Sequence, residues 1–131
     1  MYYTVETSET EPSILIERFK QSCQKRQFGV LISHNFKQKF NEKQIEYDEE
    51  CIVCEICNPV IASSVVKSNR MIALALPCRV MIYSEVKGGP LKMTTMLPTQ
   101  LIGMIDSDNE TAAKEAKIVE QISKEIMDDC K

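Results

Sequence analysis

Six cysteines are the first residues that could carry chemistry in this chain of 131 residues. Three of them form the pattern Cys51-x-x-Cys54-x-x-Cys57, which resembles the start of an iron–sulfur run of the type C-x2-C-x2-C-x3-C-P. The fourth ligand would be residue 61, which is an isoleucine. In an extended strand, Cys51 and Cys57 lie about 20 Å apart and Cys54 points to the opposite face, so one metal ion cannot bind all three. Cys51 and Cys54 are therefore only weak metal-ligand candidates.

Cys57 and Cys78 form the stronger pair. If the segments 51–57 and 78–86 are antiparallel neighbouring strands, the end of one lies beside the start of the other. Two thiols at that place could act as a redox pair or bind a soft metal ion. The helix start signal Asn58-Pro59 follows Cys57 directly, so the helix amino terminus is expected to lower the pKa of the Cys57 thiol.

A packing role is the competing interpretation of this pair. Strand parity places Cys57 with Glu55 and Cys78 with Val80, which puts the two thiols on opposite faces of the sheet. Buried cysteines commonly behave as small hydrophobic residues. Glu55 and Arg79 are themselves weaker site candidates, and the cysteines stay open between function and packing.

His34 is the chain's single histidine and another weak candidate. An imidazole can act as a base or a metal ligand. His34 alternates with Val30, Ile32 and Phe36, which predicts that these residues share one face of a strand. A histidine on an apolar strand face is usually structural. No Gly-x-Ser-x-Gly motif is present, so a hydrolase centred on His34 has only the histidine in its favour.

Composition excludes several functional classes. The chain has 16 Lys and Arg against 19 Asp and Glu, a net charge of −3, which gives no general attraction to nucleic acid or anionic lipid. No apolar run approaches the roughly 20 residues of a membrane span, and the amino terminus lacks the regions of a signal peptide. We therefore expect a cytoplasmic protein with reduced thiols, no nucleic-acid or membrane partner and no cofactor, a soft metal ion being the alternative.

Hydrophobic periodicity predicts a single α+β domain over residues 1–131. The stretch 37–50 reads as a loop with at most a turn or two of helix, 71–76 is ambiguous, and the stretch after Pro98 reads as irregular. Helices packed on one face of a largely antiparallel sheet, in β-α-β4-α order with a short extra helix between the third and fourth strands, fit this pattern. The predicted strands are 1–6, 30–36, 51–57, 78–86 and 91–97, and the predicted helices are 14–27, 59–69 and 109–127.

The sheet face without helices is unusually apolar for a surface exposed to water. Parity places Val53, Met81, Tyr83 and Met96 on that face, and half-apolar open faces often mark interfaces. A homodimer through this face is the interaction hypothesis. The alternative is an ordinary surface with scattered apolar residues, which are common on soluble proteins.

Several of these motifs occur in the order and spacing of a known family. The chain resembles the "domain of unknown function 302" family over most of residues 1–105, with 106–131 as an additional C-terminal helix. The resemblance implies a fold like that of the TATA-box-binding protein, in β-α-β4-α order, and pairing as homodimers, but it implies no activity. Cys51, Cys54 and the segment after Met104 do not map onto the family's pattern. The resemblance is carried by Phe28-Gly29-Val30, Ile32-Ser33-His34, Glu55-Ile56-Cys57-Asn58-Pro59, Leu76-Pro77-Cys78-Arg79-Val80-Met81-Ile82-Tyr83 and the hairpin glycines Gly88-Gly89.

Two functions follow as hypotheses. The first is a non-enzymatic module that acts as a homodimer and binds a small apolar ligand in a cavity between the long helix and the sheet. The seven methionines would give such a cavity an adaptable lining. The second is a thiol-dependent redox, sulfur-handling or soft-metal-binding protein that uses Cys57 and Cys78.

Overall fold

Apolar residues that alternate along the chain form five strands, and apolar residues at helical spacing form the helices that cover them. The computed structural model describes residues 1–131. Its elements are β1 (Tyr2–Glu6), α1 (Pro12–Lys25), β2 (Gly29–Asn35), α2 (Phe36–Glu42), β3 (Cys51–Cys57), α3 (Pro59–Ser68), a 3₁₀ segment (Arg70–Ala75), β4 (Cys78–Ser84), β5 (Leu91–Met96), α4 (Pro98–Ile105) and α5 (Glu110–Asp128).

The five strands form one sheet in the order β1-β5-β4-β3-β2, and every neighbouring pair is antiparallel. The α+β class and the antiparallel sheet are therefore confirmed. The hairpin between β4 and β5 turns at Gly88, whose φ of +71° lies in the left-handed region that glycine adopts without strain. None of the helices is both long and apolar enough to cross a membrane.

Polar caps explain where two of the predicted helices begin. The Asn58 side chain accepts hydrogen bonds from the backbone N–H groups of Val60 and Ile61, ahead of a proline at the first helical position of α3. Asn109 caps α5 in the same way, by accepting from Ala112 N–H. The start signal Asn58-Pro59 identified in the sequence is therefore confirmed.

Two apolar clusters form the interior of the protein. The main core contains 16 buried residues and fills the space between the sheet and helices α1 and α5. Phe19, Ile82 and Ile126 are among its members with no exposed surface. The minor core joins α3, the 3₁₀ segment, α4 and the first half of α5, and its five buried residues are Val65, Ile72, Ile102, Ala112 and Ala116.

One segment differs from the sequence prediction, and the structure defines two others that the sequence left open. The stretch after Pro98 is helical (α4) rather than irregular, because Pro98 occupies its first turn while Ile102 packs into the minor core. The charge-dense stretch, expected as a loop with at most a turn or two of helix, contains the seven-residue helix α2, which the Asn35 side chain caps and which agrees with that prediction. The ambiguous residues 71–76 fall mainly within the 3₁₀ segment.

Strand β2 also departs from simple alternation. Its register against β3 shifts between Val30 and Ile32, so one extra residue is accommodated there. Val30 packs against the main core. Ile32 pairs with Glu55, and both side chains lie on the open face of the sheet, where Ile32 is exposed. The predicted shared face of Val30, Ile32 and His34 is therefore wrong, because the irregularity moves the later residues to the open face.

Candidate functional site

A cavity of about 90 Å³ lies where α3, the 3₁₀ segment, α4 and α5 meet the ends of β3, β4 and β5. Fourteen of its 20 lining residues are hydrophobic, among them Ile61, Leu101 and Val119. It is smaller than the roughly 150 Å³ apolar cavity that holds benzene in an engineered protein. The cavity therefore suits a small apolar group, or the apolar end of a larger ligand.

The cavity has a different lining from the one expected from the sequence. Met96 is the one methionine among its lining residues, while Met93 and Met127 are buried in the main core. The predicted adaptable methionine lining is therefore wrong. Short and branched side chains supply the surface instead, including Ala62 on α3 and Ala116 on α5.

Cys57 and Cys78 both line this cavity. Cys78 lies opposite Ile56 in the β3–β4 register, so Cys57 lies one residue beyond the position that pairs with Cys78. Strand spacing and rise place their Cα atoms about 6 Å apart. The cavity wraps around the strand ends, and this brings the two residues to one wall although strand parity assigns them to opposite faces.

Burial governs the acidity of both thiols. It raises the pKa of Cys57, which is the reverse of the direction expected from the helix amino terminus. It also raises the pKa of Cys78 to about 11, with the nearby Cys57 charge contributing. Both side chains are therefore protonated at neutral pH.

The evenly spaced cysteines of β3 do not come together. Cys54 is fully buried in the main core, whereas Cys51 and Cys57 lie on the alternate positions of the strand. No group of three or more His, Cys, Asp or Glu side chains is arranged to hold a metal ion. The predicted placement of Cys54 on the face of the strand opposite to Cys51 and Cys57 is therefore confirmed.

His34, Glu55 and Arg79 form a cluster across three adjacent strands on the open face. Glu55 Oε2 lies 3.3 Å from His34 Nε2 and 3.6 Å from Arg79 Nε, and the Glu55 side chain is only 17% exposed. Lys39 of α2 adds a contact that the sequence did not indicate, because its Nζ lies 3.1 Å from His34 Nδ1. Three residues that were separate candidates in the sequence thus form one polar network.

The apolar residues of the proposed dimer face also lie together on the sheet. Val53 is paired with Met81 in the β3–β4 register, and both are half-buried. Tyr83 follows on β4 and contacts Thr94 of β5 through its hydroxyl group, and Met96 lies near the end of β5. These side chains occupy the strand positions that alternate with the main core.

Comparison with known proteins gives a family model and a solved structure. The model described as domain of unknown function DUF302 matches residues 3–129, so the match extends past the expected 1–105 and takes in α5. A crystal structure of an uncharacterized conserved protein, DUF302, from Bacillus stearothermophilus is 29% identical, with a TM-score of 0.90, and the alignment covers 99% of this chain and 98% of that chain. No curated protein matches the chain.

Proposed function

The chain belongs to the DUF302 family, whose description assigns no activity, and from that premise we propose that it is a cytoplasmic, non-enzymatic binding module that acts as a homodimer. The observation that carries the proposal is the cavity of about 90 Å³ with its mostly hydrophobic lining. Apolar concave sites with a few polar groups at their edge are the usual form of small-ligand sites. The ligand is a small apolar molecule or the apolar end of a larger one.

Filling the cavity tests the binding function. Ala62 lines the cavity from α3, so Ala62→Leu places a branched side chain inside it. With 1-hexanol as the probe, amide NMR shifts in the native protein should change at lining residues such as Ile61 and Val119. These changes should disappear in Ala62→Leu.

Ala113→Leu on the exposed surface of α5 is the matched control and should leave the response to 1-hexanol intact. The native protein failing to respond to 1-hexanol would overturn the binding function. So would a response of Ala62→Leu equal to that of the native protein.

The dimer proposal depends on the open face of the sheet. Five strands about 4.8 Å apart and about 20 Å long present roughly 500 Å² per copy. That area lies just below the range of stable specific interfaces, which bury about 600–1,000 Å² per partner, and is typical of weak, transient ones. We therefore expect a reversible dimer whose population rises with protein concentration.

Sedimentation velocity over a range of protein concentrations tests the dimer. Met81→Glu puts a charge in the middle of the face and should leave the protein monomeric. Met104→Glu, at an exposed position of α4 away from the sheet, is the matched control and should dimerise normally. A native protein that stays monomeric at high concentration would show that the open face is an ordinary surface.

A soft-metal or redox role for Cys57 and Cys78 is the second candidate function. Its support is that the two thiols line one cavity and that thiolates select soft ions such as Cu(I). Their raised pKa values work against it, because a metal ion must displace both protons. Silver(I) titration followed by native mass spectrometry should show one bound ion that is lost in Cys57→Ser and Cys78→Ser and kept in Cys51→Ser.

A further inference from the structure

Arg79 belongs both to the cavity and to the polar cluster on the open face. It lines the cavity, and it is the one positively charged residue among the lining residues. It pairs with Glu55 in the β3–β4 register and contacts that carboxylate through Nε, at 3.6 Å. The Arg79 side chain is 52% exposed, so it lies where the cavity meets solvent.

The contact with Glu55 leaves the outer part of the guanidinium free. No hydrogen bond within the chain uses Arg79 Nη1 or Nη2, and the single ion pair of Arg79 is made through Nε. Arginine presents its donors as a rigid fork that matches a carboxylate with two parallel hydrogen bonds. The Nη1 and Nη2 groups of Arg79 can therefore donate hydrogen bonds to an anionic group of a ligand.

The neighbouring charges favour an anion. Lys39 Nζ donates to His34 Nδ1, which leaves the imidazole to donate from Nε2 to Glu55. With that neutral tautomer, the formal charges of Arg79, Lys39 and Glu55 total +1. One monoanionic group would balance the cluster.

We propose that the cavity binds a short-chain monocarboxylate whose aliphatic end fills the apolar space and whose carboxylate pairs with Arg79 at the mouth. Glu55, held in turn by His34, positions the guanidinium without contacting the ligand. Arg79 lies near the start of β4, so the mouth is at the rim of the open face and stays accessible at the edge of a dimer. This inference rests on the proposed binding function and adds the ligand class to it.

One residue in the lining favours the opposite charge. Glu115 of α5 also lines the cavity, and a cationic ligand would pair with it. Three probes with the same six-carbon chain separate these cases: hexanoate, 1-hexanol and hexylamine. Affinities measured by NMR titration at a protein concentration below the onset of dimerisation compare the three head groups at one site.

Hexanoate should bind at least tenfold more tightly than 1-hexanol, and hexylamine more weakly than either. Arg79→Gln should remove the advantage of hexanoate while 1-hexanol binds as before. Arg70→Gln, on the exposed side of the 3₁₀ segment, is the matched control and should change neither affinity.

Three results would overturn the proposal, and they can be told apart. Equal binding of hexanoate and 1-hexanol by the native protein would leave the apolar site standing without an anion preference. Tightest binding of hexylamine would assign the head group to Glu115. A failure of all three probes to bind would remove the binding function itself.

Discussion

The main core and the minor core are joined through α5, which contributes residues to both, yet they are built differently. The main core holds 16 buried residues, most of them contributed by α1, α5 and the four strands β1, β3, β4 and β5. The minor core holds five, contributed by α3, the 3₁₀ segment, α4 and the start of α5. The cavity of about 90 Å³ lies between the two, because its lining takes Phe28, Ile56 and Val119 from the main core and Val65, Ile102 and Ala116 from the minor core.

Polar contacts reinforce this difference. On the outer edge of the main core, Ser22 Oγ donates to Ile126 O, and Arg26 Nη1 lies 2.7 Å from Asp129 Oδ2. Tyr3 donates to Asp128 at 2.6 Å, which ties β1 to the end of α5. The comparison indicates that the main core supplies most of the stability, while the shorter elements around the minor core leave a volume that a ligand can use.

Cysteine reactivity should show the largest contrast between the two regions. Cys23, Cys54 and Cys130 have no exposed surface in the main core, and burial raises the pKa of Cys23 to about 12 and that of Cys130 to about 11. A thiol with a pKa of 12 has roughly a thousandth of the thiolate of an ordinary cysteine at pH 8. These three should therefore be silent in the native protein, while the partly exposed Cys57 is modified.

The measurement is methyl methanethiosulfonate labelling read by peptide mass spectrometry. Labelling in concentrated denaturant should reach all six cysteines and is the internal control. If the three main-core cysteines were labelled in the native protein at the rate of Cys57, the expected contrast would be wrong. The main core would then open to solvent as easily as the cavity that Cys57 lines.

Two isoleucines give the second contrast as a matched pair. Ile82 in the main core and Ile72 in the minor core both have no exposed surface. Isoleucine-to-alanine substitutions cost about 2–5 kcal/mol, depending on how far the surroundings can collapse. We expect Ile82→Ala to lower the free energy of unfolding by about 4 kcal/mol, and Ile72→Ala by about 2 kcal/mol, because the short elements around Ile72 can shift.

Urea denaturation of both variants measures this difference directly. Ile82→Val, which removes a single methylene group, should cost about 1 kcal/mol and confirms that the loss scales with the volume removed. Equal costs for Ile72→Ala and Ile82→Ala would show that the minor core is packed as rigidly as the main core.

The sequence predicts the main core better than the minor core for a physical reason. Strands β3, β4 and β5 alternate strictly, and the stripe of α5 repeats at helical spacing, so both patterns are visible in the residues alone. Helix α4 is not visible in this way. Its N-cap residue, Leu97, makes no side-chain capping hydrogen bond, so the sequence carries no polar start signal for this helix. The cavity depends on where α4 packs, so its lining could not be derived.

The candidate site was predictable in its residue types but not in its arrangement. Strand order and register bring Glu55 opposite Arg79, and the alternation of β3 and β4 is enough to suggest this pairing. His34 joins them only because the register of β2 against β3 shifts between Val30 and Ile32. No residue type in β2 indicates that shift. Lys39 reaches His34 from α2, a short helix that the charge-dense sequence allows without indicating where it packs.

The pH dependence of stability should show the smallest contrast. Hydrogen bonds from Arg26 and Ser22 lower the pKa of Asp129 in the folded protein below its usual range. A carboxyl group with a lowered folded-state pKa stabilises the protein above its unfolded pKa, and the stabilisation is lost as the pH falls through the folded value. The melting temperature should therefore fall more steeply below about pH 4 in the native protein than in Asp129→Asn. Asp108→Asn, beyond α4 at an exposed position on the cavity side, should keep the native slope. An unchanged slope in Asp129→Asn would show that the contacts of Asp129 on the main-core side do not stabilise the fold.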